Sequence, residues 1–142
     1  MDIVRGALSI VRMSFDLPMT LWPVTLVLLA LACWAGYKLV LARRHRSRAT
    51  LTLLFSSVVV FLAIPFYAAV FWANHDVHTP ATQELPTDVL GIVLLGYIAV
   101  VALAIILAKG YRLPLAGVAA FAVWMNYGII FVATMAVSGV WL

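Results

Sequence analysis

The sequence predicts an all-α membrane protein: a four-transmembrane-helix antiparallel bundle preceded by an N-terminal amphipathic interfacial helix. Three observations carry that expectation. Residues 17–37, 49–74, 89–108 and 113–142 contain no Asp, Glu, Lys, Arg or His, and about 20 such residues rising 1.5 Å each cross a bilayer. Hydrophobic residues make up 66% of the chain and charged residues 10%, with mean hydropathy +1.14, whereas a soluble domain carries about a quarter charged residues. Basic and acidic loops alternate along the chain. This composition excludes soluble enzymes, secreted disulfide modules and disordered chains. A barrel is excluded as well, because barrel strands alternate polar with apolar residues and these runs are apolar all round.

The first element is residues 1–16. Asp2, Arg5, Ser9, Arg12 and Asp16 recur every three or four positions, which draws a narrow polar stripe along an otherwise apolar helix. Such a helix lies in the membrane interface. Asp2–Arg5 and Arg12–Asp16 are spaced for ion pairs. Leu17-Pro18 then turns the chain into the first span, since Pro is tolerated at a helix start. The spans are expected at 19–42, 51–73, 89–108 and 115–142, and the whole chain 1–142 forms one integral membrane domain. Residues 29–33, Leu-Ala-Leu-Ala-Cys, superficially suggest a lipoprotein cleavage site. The apolar run nevertheless continues to Tyr37 and meets a basic cluster, as a stop-transfer span does.

Charge sets the orientation. Lys38, Arg43, Arg44, Arg46 and Arg48 follow the first span, and Lys109 and Arg112 follow the third. The loop after the second span holds Asp76, Glu84 and Asp88 and no Lys or Arg. By the positive-inside rule the basic loops are cytoplasmic and both termini are extracytoplasmic. The Ala/Val/Leu/Arg-rich composition places the chain in a bacterial cytoplasmic (inner) membrane. The Arg43, Arg44, Arg46 and Arg48 cluster is expected to bind anionic lipid or a partner's acidic surface, each charge contributing about 1 kcal/mol near such lipid. Nucleic acid is not an expected partner.

The chain carries little that could do chemistry. All five carboxylates lie at the N-terminus or in the second loop, so a proton-coupled transporter's intramembrane acid is missing. The three histidines, His45, His75 and His78, are in loops, so paired haem ligands within the spans are missing too. The lone Cys33 cannot form an internal disulfide, a redox pair or a multi-cysteine metal cluster, and reads as a small packing residue. No cofactor, catalytic residue or metal site is expected. His75-Asp76-Val77-His78 has metal-like spacing, and the plainer reading is a polar cap where a helix leaves the membrane.

Asn126 is the distinctive polar residue of the fourth span. A buried amide costs a few kcal/mol unless hydrogen-bonded. Depth along the helices offers partners. Tyr97 lies at nearly the same level, as does Phe61, whose carbonyl loses its helical donor to Pro65. Asn126, Tyr97 and Pro65 therefore form a candidate intramembrane polar site. Its plain role is to lock helix packing, and its functional role is to line a pathway or grip a partner. Gly36-Tyr37-Lys38-Leu39-Val40-Leu41-Ala42 also matches Gly110-Tyr111-Arg112-Leu113-Pro114-Leu115-Ala116 at five of seven positions. A duplicated helical hairpin would explain that match, as would chance. Small residues along the last two spans, among them Gly96, Ala99, Ala102, Ala116 and Ala120, suit close helix approach.

The expected function is that of a non-enzymatic accessory, assembly or inhibitory subunit of a larger membrane partner. The alternative is a homo-oligomeric channel or uncoupled small-solute transporter, with Asn126, Tyr97, Ser56 and Ser57 lining a path.

Overall fold

A computed structural model describes residues 3–43, 47–73 and 84–138. The described residues are helical almost throughout. They form α1 (Ile3–Ser14), α2 (Asp16–Thr20), α3 (Trp22–Leu41), α4 (Arg48–Ala73), α5 (Glu84–Leu107) and α6 (Arg112–Ser138). Helices α3 to α6 are each long and apolar enough to span a bilayer, and the chain is a multi-pass membrane protein. Each boundary has a local cause. Pro23 sits in the first turn of α3, where its missing N–H costs nothing. The Ser47 hydroxyl accepts the backbone N–H of Thr50 at 3.2 Å and so caps the start of α4. Arg43, in the left-handed region with φ 53°, ends α3, and Gly110 with φ 84° turns the chain between α5 and α6. The spans begin and end a few residues from the expected limits: α3 starts at Trp22 because α2 intervenes, and α5 starts at Glu84. Helix α4 continues through Pro65, which is fully buried.

Helix α6 is the hub of the bundle. It packs against α1, α3, α4 and α5, whereas α3 packs only against α6 and α2 among the described residues. Helices α4 and α5 pair with each other and with α6. The α3–α6 contact is antiparallel and close. A Cβ added at Gly117 would lie 2.9 Å from the Ala35 Cβ, so only glycine lets the two backbones approach this far. Seven residues further along α6, the Trp124 indole N–H donates to the Thr25 hydroxyl at 3.1 Å. In this register Trp22 is level with about Tyr127, so the last eleven residues of α6, about 16 Å, run past the start of α3. Burial in α6 is densest along that stretch, from Ile129 to Val137.

Helix α1 docks on α4 and α6 through Gly6, Ala7, Ile10 and Ser14, all buried. Its polar residues Arg5 and Arg12 lie on a second face, and the exposed Val4 and Leu8 on a third. The helix is amphipathic as expected, and one face is spent on the bundle. Arg12 and Asp16 form no ion pair, and Asp2 lies outside the described residues.

The two copies of the seven-residue match are placed differently in the fold. Gly36 lies inside α3, whereas Gly110 is in the turn after α5, and its copy opens α6. A repeated hairpin would also pack α3 on α4 as α5 packs on α6, and α3 does not touch α4 among the described residues. Cys33 does not pack either: it is exposed on α3.

Candidate functional site: a polar chain across three spans

Asn126 and Tyr97 meet where the depth arithmetic puts them. The Asn126 amide Nδ2 donates to the Tyr97 hydroxyl at 3.1 Å and, within its own helix, to the Ala122 carbonyl at 3.1 Å. Both Asn126 and Tyr97 are buried. The Tyr97 hydroxyl reaches Ser57 of α4 at 2.9 Å, and the Ser57 hydroxyl lies 2.7 Å from the Leu53 carbonyl. The proton order follows by elimination. A carbonyl only accepts, so Ser57 gives its single proton to Leu53. Ser57 must then accept from Tyr97, and Tyr97 in turn from Asn126. The chain runs one way, from α6 through α5 to α4.

The same logic fixes the amide. Turning it over would set Oδ1 against the Ala122 carbonyl, two acceptors face to face, so the nitrogen stays where it is. Asn126 Oδ1 is left buried without a hydrogen-bond partner among the described residues. An orphan acceptor of this kind costs about 1–3 kcal/mol.

Of the two partners that depth offered, Tyr97 takes the bond and the Phe61 carbonyl does not; the amide spends its two protons on Tyr97 and Ala122. Phe61 instead lines, with Asn126, an apolar groove of about 370 Å³ between α4 and α6. Pro65 is not among the residues lining that groove. Ser56 bonds back to the Leu53 carbonyl at 3.0 Å and takes no part in the chain. The amide and the two hydroxyls can orient or bind a polar group by hydrogen bonding.

The basic end of the bundle holds a second feature. Tyr111 donates its hydroxyl proton to Ser47 at 2.7 Å and so ties the α5–α6 turn to the start of α4. Beside it a groove of about 490 Å³ opens between α4 and α5, with Arg48 and Thr52 on one wall and Val100, Leu103, Ala104 and Leu107 on the other. Of the basic cluster, Arg43 and Arg48 are exposed, and Arg44 and Arg46 lie outside the described residues. His75, Asp76 and His78 lie outside them too.

Three positions carry more than sequence reasoning assigned them. Ser57 links the chain to α4. Thr25 donates to the Pro18 carbonyl at 2.8 Å while accepting from Trp124, and so joins α2, α3 and α6. Gly117, beside the Ala116 and Ala120 pair, is the glycine that makes the closest approach. A polar residue three or four positions from a helix start, and a tryptophan deep in a span, were the available signals for Thr25 and Trp124.

Comparison with protein-family models, curated proteins and solved structures finds no match to this chain.

Proposed function

We propose that this chain is a non-enzymatic subunit that docks on a larger membrane protein as an accessory, assembly or inhibitory partner. The carrying observation is the one-sided attachment of α3. That helix touches α6 along a narrow stripe that includes Leu31, Ala35 and Leu39, while Leu26, Leu29, Cys33 and Trp34 are exposed. A span held on one side offers most of its length to a neighbour, and close packing against another helix is the main source of affinity in lipid. The filled interior favours the same reading. Leu53, Leu90, Leu115 and Ile129 are fully buried between the helices, where a pore of one chain would need water.

The working orientation follows the positive-inside rule. The basic loops face the cytoplasm of a bacterium, both termini face the extracytoplasmic side, and anionic lipid surrounds the basic end.

Photo-crosslinking residues placed one at a time at Leu29 and Trp34 of α3, and at Leu95 of α5 as a control, test the reading. Leu95 is 69% exposed. The expected result is one protein adduct of fixed mass from the α3 positions and lipid adducts alone from Leu95. Lipid adducts alone from α3 would refute the docking.

The second reading, a homo-oligomeric channel or uncoupled transporter, rests on the orphan Asn126 Oδ1. Its path would run between copies along the α4–α6 groove. Flux through liposomes that vanishes in Asn126→Leu would favour it over the first.

A further inference from the structure

Among the described residues the basic end of the bundle holds no acid. Lys38, Arg43, Arg48, Lys109 and Arg112 gather there, whereas the carboxylates of the chain precede α3 or lie in residues 76–88, and Glu84 and Asp88 of these are in the first turns of α5, at its far end. No described residue supplies a counter-charge for this end, which leaves it open to an anion from another molecule. Arg48 stands where that molecule can be read most closely, because it is both the first residue of α4 and part of the α4–α5 groove wall.

We propose that this groove holds one anionic phospholipid, with its phosphate on the Arg48 guanidinium and an acyl chain along the α5 wall. The two halves of the groove match the two halves of such a lipid. Val100 to Leu107 cover two turns of α5, about 10 Å of apolar wall running into the bilayer. Arg48 marks the start of the span and so sits at headgroup level. Its planar fork of N–H donors fits two phosphate oxygens at once. Basic pockets between spans on the positive side of a membrane are a known way of holding acidic headgroups.

The surroundings are held ready for it. Tyr111 spends its proton on Ser47, which fixes the ring as the end wall of the groove. Arg112 donates to the Ile106 carbonyl at 2.9 Å, which holds a second guanidinium at the end of α5 beside Leu107. A free phosphate would use the charge and leave the apolar wall unused. A neutral lipid would use the wall and not the charge.

The test is lipid binding by the purified full chain in mild detergent, followed by native mass spectrometry and thermal melting. The probes are palmitoyl-oleoyl phosphatidylglycerol, phosphatidylcholine with the same chains, and glycerol 3-phosphate. The expected result is one retained phosphatidylglycerol, preferred over phosphatidylcholine by about fivefold or more, the weight of one charge near an anionic headgroup. Arg48→Gln should erase the preference. Lys38→Gln, with the same loss of charge on an exposed residue outside the groove, should leave it intact. Val100→Trp, at a position 37% exposed, should weaken both lipids by filling the groove. Equal preference lost in the Lys38 and Arg48 variants would mean diffuse attraction and would overturn the site. So would displacement by glycerol 3-phosphate, or a preference that survives Arg48→Gln.

Discussion

The Asn126 amide donates to the Tyr97 hydroxyl at 3.1 Å, while the carbonyl oxygen of the same amide is buried without a partner among the described residues. The two facts pull in opposite directions. The bond joins α6 to α5 and, through Ser57, to α4. An interhelical bond in lipid contributes about 0.6 kcal/mol on average. The orphan acceptor costs about 1–3 kcal/mol. As a pure lock the residue is a poor one.

Asn126→Leu, close to isosteric, removes both the bond and the orphan. Its unfolding free energy in detergent is expected to equal or exceed that of the parent chain. A loss above about 1 kcal/mol would mean that Oδ1 has a partner that stabilises the fold.

Tyr97→Phe does the reverse. It keeps the ring, removes the hydroxyl that serves both neighbours, and leaves the Asn126 amide proton unpaired. A destabilisation of about 1 kcal/mol is expected. An unchanged melting temperature would contradict the one-way chain.

Gly117→Leu should detach α3, since even the first side-chain carbon would meet Ala35 at 2.9 Å. Overpacking of this kind costs about 1–3 kcal/mol. Because α3 packs only on α6 and α2 among the described residues, hydrogen exchange should rise in α3 and stay low where α4 meets α5. Uniform loosening would contradict α6 as the separate support of α3.

Thr25→Val keeps the shape and removes the hydroxyl that joins Pro18, Leu21 and Trp124. The expected outcome is faster proteolysis and exchange in α1, α2 and the start of α3, with α4 and α5 unaffected. Unchanged protection of α1 would mean that its contact with α4 and α6 suffices alone.

Arg43→Gly should stabilise the chain by about 1 kcal/mol. Arg43 occupies the left-handed region at φ 53°, where a side chain costs about 1–2 kcal/mol and glycine nothing. A lower melting temperature would show that the Arg43 side chain contributes more than its backbone costs.

What was legible in the sequence followed from one-dimensional quantities. Span positions came from the absence of charge, and the Asn126–Tyr97 contact came from counting residues along two helices. The lateral arrangement was hidden for a physical reason. The spans are apolar on every side, so no periodicity tells which face meets protein and which meets lipid. That is why Cys33 reads as packed and is exposed, why Ala116 and Ala120 draw the eye before Gly117, and why the Gly36 and Gly110 segments look alike yet end one helix and open another. Helix α1, with its polar stripe, was the exception, and its amphipathic character was plain from the spacing.

Native mass spectrometry of the complex, crosslinked in its own membrane before extraction, tests the central claim most directly. The account predicts one 15.5 kDa chain bound in fixed stoichiometry to a larger membrane protein, with the crosslink on α3. Masses that are only multiples of 15.5 kDa would contradict it and establish a self-assembly in its place.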